Sequence, residues 1–176
     1  MAKQIVFLDI PLEKNMAVNA EKLKEFMRFW TTGVAVVCSR MHDDIHGMTV
    51  NSFTSVSIDP PLISVTLAKS TRTLQLVQQS GIFSISILAE DQVEISDRFA
   101  GRIPEEDDRF AGLEYKLWEY ALPVIQGALA WMSCRVVHTY ETDQSILILG
   151  QVEGVSTLGG QPLLYHERRY WKLGGE

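Results

Sequence analysis

The sequence is poor in the features that usually announce a function. It has two cysteines, Cys38 and Cys134, far apart and without CxxC spacing. That excludes a disulfide framework and a zinc ribbon. Two buried structural thiols are expected instead, in keeping with a reducing cytoplasm. The four histidines, His42, His46, His138 and His166, show no HExxH or related spacing, so no metal site is expected. GxGxxG, P-loop and GxSxG patterns are missing, which speaks against a Rossmann nucleotide site and a hydrolase elbow. No apolar run reaches the roughly 18 residues that a spanning helix needs. Excess positive charge is lacking too. Sixteen Lys and Arg against 22 Asp and Glu leave a net charge of −6, which weighs against nucleic acid or an anionic membrane as partner. Clustered carboxylates occur only at Glu105–Asp108, where mutual repulsion and exposure disfavour general acid work.

What is present begins with 176 residues, 46% of them hydrophobic, enough for one soluble domain with a real core. Residues 1–18 have no clear period and read as an N-terminal arm. Their scattered Lys3, Asp9, Glu13 and Lys14 lack the layout of a signal peptide. Residues 19–176 form the domain. Asn19 caps an expected helix over 20–30, with Leu23, Phe26, Met27 and Trp30 on one face as core or dimer surface. Val34–Cys38 reads as a buried strand, and His42-Asp43-Asp44 as a hairpin turn. Leu62–Leu67 and Ile82–Leu88 are further strands. Between them Ser70 or Thr71 caps a short helix that ends at Gly81. A third helix is expected over 91–99, and a mobile polar loop over 101–108. Long strands over 128–140 and 145–155 flank the turn Thr142-Asp143-Gln144, and Gly150 and Gly154 mark bulges or close approaches. Many strands with short turns and three short helices indicate a mainly antiparallel β-barrel or sandwich.

Two stretches invite chemistry. In Gly47–Pro61 the small polar residues Thr49, Asn51, Ser52, Thr54, Ser55 and Ser57 alternate with apolar ones. This suits either a planar polar ligand or a strand with one wet face. The other stretch, Lys69-Ser70-Thr71-Arg72-Thr73, puts two cations and three hydroxyls at a helix start. That is either an anion site or an ordinary capped surface helix.

Together these stretches are identified with a known family. Thr31-Thr32-Gly33-Val34, Gly47–Pro61, the Lys69–Thr73 helix start and Leu122–Trp131 resemble the short-chain flavin reductases, the small components of two-component flavin-dependent monooxygenases. The resemblance runs from Glu25 to Leu173. It implies a mainly β, Greek-key antiparallel split barrel, binding FMN or FAD as a homodimer. By the same resemblance, Thr49, Val50, Asn51 and Ser52 line the isoalloxazine with Thr32 close by. Lys69, Ser70 and Thr71 lie near the ribityl phosphate, and Phe99-Ala100-Gly101 closes over the flavin. Hydride passes from NADH or NADPH to the flavin without a protein acid or base, so no catalytic side chain is expected. Reduced flavin then serves a separate monooxygenase. Members that use NADH carry Gly-Asp-His at a turn where this chain reads Thr142-Asp143-Gln144. Asp143 and Gln144 are therefore the expected nicotinamide contacts. Arg168 or Arg169 of the closing segment Tyr165–Tyr170 is within reach of a phosphate, and Arg169 joins that set. The lost His keeps one alternative open, a flavin-binding protein of altered activity; a further alternative is a non-catalytic ligand-binding barrel, against which the Thr49–Ser52 and Lys69–Thr71 features count.

Overall fold

A computed structural model describes residues 18–103 and 108–174. The expected arm lies outside the described residues except for Val18, as does most of the acidic run. The element order is α1 (Ala20–Met27), β1 (Thr32–Gly33), β2 (Ala35–Met41), β3 (Asp44–Val50), β4 (Thr54–Ser57), β5 (Leu62–Ala68), α2 (Arg72–Ser80), β6 (Ile82–Ile87) and α3 (Val93–Phe99). It continues with β7 (Tyr115–Leu117), β8 (Pro123–Ile125), β9 (Ala130–Glu141), β10 (Ser145–Thr157), β11 (Leu164–His166) and β12 (Arg169–Trp171).

Seven strands form one sheet in the order β3-β2-β6-β9-β10-β5-β4, and all neighbours are antiparallel. Strands β1-β11-β12 make a second sheet and β7-β8 a third. The edges of the large sheet, β3 and β4, are consecutive in the chain, with only residues 51–53 between them. Laid flat, seven strands would hold their edges roughly 29 Å apart. Four Cα steps reach at most roughly 14 Å. The sheet must therefore curl until its two edges nearly meet, leaving an unclosed barrel whose split is bridged by Asn51-Ser52-Phe53. Ser52 fastens that bridge to β5, donating to the Thr66 carbonyl at 2.9 Å and accepting from the Thr66 amide at 3.1 Å.

The unbroken apolar run at the start of β2 has a simple cause. Its residues alternate between two cores. Ala35 and Val37 join Leu74, Val77, Phe83, Ile85 and Ile148 on one face. Val34, Val36 and Cys38 join Leu88, Phe99, Phe110 and Ile125 on the other. Helix α2 covers the first core with Leu74 and Val77, and α3 covers the second with Phe99. Both faces of the strand are buried, so neither side carries the polar alternation of a half-exposed strand. The thiols of Cys38 and Cys134 are free and buried. Burial pushes the Cys38 thiol well above its ordinary range. Burial first, then the Glu153 charge, pushes Cys134 up to about 12. Both stay protonated at neutral pH, as structural thiols do.

Several expectations hold in detail. The Asn19 side chain accepts from the Lys22 amide at 2.9 Å, and Thr71 caps α2. The β9–β10 register shifts at Gly150 and again before Gly154. At Gly150 a Cβ would stand 2.6 Å from Phe83 Cζ, so this bulge is also a close packing approach. Others differ. Helix α1 stops at Met27, three residues short of Trp30, and buries none of its residues. Its stripe is not core: Phe26 and Trp30 are 72% and 66% exposed. Gly47–Pro61 yields two strands. The short pair β7–β8 had no sequence signal, because three-residue strands are too short to show a period. No helix of the described residues is long and apolar enough to cross a membrane.

Candidate active site

The split of the barrel is lined by cavities that share walls. The first, about 250 Å³, is bounded by Val34, Thr49, Val50, Asn51, Ala100 and Arg102, with Ser96, Tyr165 and Tyr170 completing it. A second, about 390 Å³, opens from it past Thr49 and Ala100 and reaches Ser70, Thr71, Arg72, Phe99 and Arg109, with His46 beside them. A third, about 230 Å³, continues past Val50 and Asn51 to Thr32 and Phe53. The polar stretch thus forms the floor common to all three, because β3 ends at the split and must cross it.

Helix α3 builds the opposite wall. It can lie close because Gly47 has no side chain: a Cβ there would stand 2.8 Å from Cys38 Sγ and 2.8 Å from Phe99 Cε1. The Thr49 hydroxyl donates to the Ser96 carbonyl at 2.7 Å and ties β3 to α3. Gly101, at φ 69, then reverses the chain so that Arg102 returns over the first cavity. Arg102 donates to Asp97 at 2.9 Å, to the Tyr170 hydroxyl at 3.1 Å and to the Tyr165 hydroxyl at 3.0 Å. Its guanidinium also lies over both rings, 5.5 and 5.6 Å from their centroids. Tyr170 in turn donates to Asp97 at 2.7 Å. Burial alone would lower the pKa of Arg102; its bond to Tyr165 and its other polar partners hold it above the ordinary value. Burial pushes the Tyr170 phenol up. Both groups keep their protons across the neutral range.

The second cavity is built for an anion. Arg72, Arg109, His46 and the free end of α2 converge there, and among the described residues no carboxylate lines it. Arg72 is partly offset by Asp44 at 2.6 Å. Arg109 is held in place by the carbonyls of Gly47 and Phe99 at 3.1 and 2.9 Å. His46 Nδ1 lies 2.8 Å from the Thr73 hydroxyl.

Of the residues expected from the sequence, Thr32, Thr49, Val50, Asn51, Ser70, Thr71, Phe99 and Ala100 come together in these cavities. Ser52, Lys69 and Gly101 line none of them. The Ser52 hydroxyl serves Thr66, and the Lys69 ammonium pairs with Glu141 at 2.5 Å. Asp143 and Gln144 sit at the β9–β10 tip beside α2, where the Gln144 carbonyl accepts from the Lys69 amide at 2.9 Å. Arg169 lies in a different sheet, opposite His166. Sequence reasoning missed Arg102, Arg109 and His46. Each is a lone residue of no motif, and only its position on the folded chain marks it.

The site passes one test for an aromatic, hydrogen-bonding ligand. The Thr32 hydroxyl is buried and has no hydrogen-bond partner, although buried polar groups nearly always have one. It lines the third cavity beside Asn51. A planar ring with donors and acceptors on its edge, as a flavin has, supplies what this hydroxyl lacks.

Comparisons point the same way. A family model described as the flavin reductase like domain matches residues 27–174. An NADH-dependent flavin reductase of a Rhodococcus species is 34% identical over 155 residues, covering 86% of this chain and 85% of that protein. The reductase component of 4-hydroxyphenylacetate 3-monooxygenase from Thermus thermophilus is 34% identical over 155 residues, covering 87% of this chain and 96% of that protein. Among solved structures, the flavin reductase PheA2 matches with a TM-score of 0.83 at 31% identity, covering 90% of this chain and 100% of that one.

Proposed function

This chain belongs to the flavin-reductase-like family, and from that premise we propose that it transfers hydride from NADH or NADPH to FMN or FAD. The reduced flavin then leaves for a separate flavin-dependent monooxygenase, the arrangement named in the Thermus relative. The observation that carries the reading is the join between two cavities. One sets polar Thr49 and Asn51 among apolar Val34, Val50 and Ala100 and the Tyr165 and Tyr170 rings, and the other is cationic and free of carboxylates among the described residues. That is the shape of a ring with a phosphate on its tail.

A flavin would supply the ring that accepts the hydride. The protein binds and aligns. Thr32 and Asn51 offer hydrogen bonds to the ring edge, while Val34, Val50 and Ala100 offer apolar contact. Ser70, Thr71, Arg72 and Arg109 take the phosphate through charge and the N-terminal amides of α2. No side chain need gain or lose a proton, so holding two rings at reacting distance is the main contribution. Asp143, Gln144 and Arg169 remain the proposed nicotinamide contacts on the strength of the resemblance.

Purified protein is expected to oxidise NADH or NADPH only when FMN or FAD is supplied, followed by loss of the reduced-nicotinamide absorbance. Flavin binding without oxidation would instead favour a flavoprotein of altered activity. No flavin binding at all would favour a non-catalytic barrel.

We also propose that the protein is a cytoplasmic homodimer. Its free thiols suit a reducing compartment. The exposed Phe26 of α1, Trp30 just beyond it, and Ile58 at 85% exposure are costly to leave in water. Sedimentation is expected to show a dimer, and a monomer at every attainable concentration would end that reading.

A further inference from the structure

A carboxylate stands beside the anion-accepting cavity without lining it. Arg72 lines the second cavity, and its Nη2 donates to Asp44 Oδ1 at 2.6 Å. We propose that Asp44 is a specificity-determining residue of the flavin site. Its charge opposes the dianionic phosphate of FMN more than the singly charged phosphates of FAD, and it keeps FMN binding weak enough for exchange. This rests on the reductase reading above, in which reduced flavin leaves the protein.

Placement is the first argument. Asp44 opens β3 directly after the turn His42-Asp43, opposite Met41. Arg40 fixes that turn, donating from Nε to the His42 carbonyl at 3.0 Å and from Nη1 to the Ala121 carbonyl at 3.0 Å. Side chains two apart on a strand share a face. Asp44 and His46 therefore reach the start of α2 together, Asp44 at Arg72 and His46 at Thr73. Helix α2 has no acid of its own in its first turn. The negative charge there comes from β3, and it stands beside the free amides that would take a phosphate.

Charge is the second argument. Both cations that flank the start of α2 face a carboxylate: Lys69 meets Glu141 at 2.5 Å, and Arg72 meets Asp44 at 2.6 Å. Of these two cations only Arg72 lines the second cavity, so its pair is the one that a bound phosphate feels. A guanidinium has more N–H donors than one carboxylate oxygen takes. Asp44 and a phosphate can therefore share Arg72, and their mutual repulsion grows with the charge on the phosphate. A phosphate monoester carries about −1.5 to −2 at neutral pH, each phosphate of FAD carries a single charge, and riboflavin carries none. FMN is opposed most, FAD less and riboflavin not at all.

The third argument is that the pair does little for folding. The Arg72 and Asp44 side chains are 53% and 40% exposed, and ion pairs so open to water add little stability. The Arg72 backbone is set independently, because it is the first residue of a helix capped by Thr71. Removing the Asp44 charge therefore leaves Arg72 in place and raises the positive potential in the cavity.

The test is Asp44→Asn, with Kd measured by flavin fluorescence titration for FMN, FAD and riboflavin. The FMN Kd is expected to fall about threefold or more, the FAD Kd about half as much, and the riboflavin Kd to change less than about 1.5-fold. Tightening is an outcome that a merely damaged fold would not give. Asp44→Glu, which keeps the charge, is expected to stay within about twofold of wild type for FMN. Raising salt from about 50 to 300 mM is expected to shrink the gain of Asp44→Asn. An unchanged or weaker FMN Kd in Asp44→Asn overturns the inference, since Asp44 would then be idle or a support for Arg72. An equal gain for riboflavin also overturns it, because the effect would lie at the ring. The graded change in Kd without any oxidation of NADH or NADPH would uphold Asp44 as the charge filter and sink the reductase reading instead.

Discussion

Phe99→Ala is expected to lower the free energy of unfolding by about 3–5 kcal/mol, the usual cost of emptying a buried phenylalanine site. The ring is 1% exposed and meets Phe110 edge-on at 5.1 Å. It lies against the backbone of Gly47, where a methyl group would already collide. These contacts hold the last turn of α3 against β3, and with it Ala100, which is common to the first two cavities. Stability and ligand binding should therefore fall together. Flavin affinity is expected to drop about tenfold or more, a change of about 1.4 kcal/mol or more in binding. Denaturant unfolding and flavin titration measure the two effects. A stability loss below about 1 kcal/mol would mean that the site collapses to fill the void, and that α3 does not depend on this ring.

Arg102→Ala is the second large effect. One guanidinium joins the end of α3 to both strands of the closing hairpin, through Asp97, Tyr165 and Tyr170. Removing it leaves the Tyr170 hydroxyl with Asp97 and Ser96 but frees the Tyr165 hydroxyl from its bond to α3's side of the cavity. The side chain is 46% exposed, so solvent screening reduces the stability cost to about 1–2 kcal/mol. The functional cost is expected to be larger, with NADH-dependent flavin reduction down about tenfold or more as the tyrosine wall loosens. Arg102→Lys separates the causes. Lysine keeps the charge but lacks the fork that reaches three oxygens, so it is expected to recover little activity. Full recovery with lysine would show that charge alone matters there.

The sites of these two substitutions were not equally legible. Phe99 could be picked out because the Phe99-Ala100-Gly101 segment resembles a known pattern. Arg102, one position further, belongs to no pattern and falls in the stretch expected to be a polar loop. Its importance depends on Tyr165 and Tyr170, 63 and 68 positions away. Arg109 is similar, held by Gly47 at a separation of 62. Lys69 too has a distant partner that the local pattern does not show. Its place beside a helix start suggests a phosphate cation, and in the structure its ammonium pairs with Glu141, 72 positions away. Arg72 and Arg109 are the cations that line the second cavity.

By itself, the sequence determined the local elements: the Asn19 and Thr71 caps, the doubly buried β2, the Gly150 and Gly154 irregularities, and a polar stretch ending at Pro60-Pro61. Caps, alternation and turn chemistry act between residues a few positions apart, so they are written in order along the chain. The tertiary structure decided how those parts meet. It made consecutive β3 and β4 the two edges of one curled sheet and laid Asn51 across the split. It also gathered Arg102, Tyr165, Tyr170 and Arg109 around that split. Those contacts come from curling the sheet until its edges nearly meet, and no local pattern of residues encodes which distant side chains that curl will bring together.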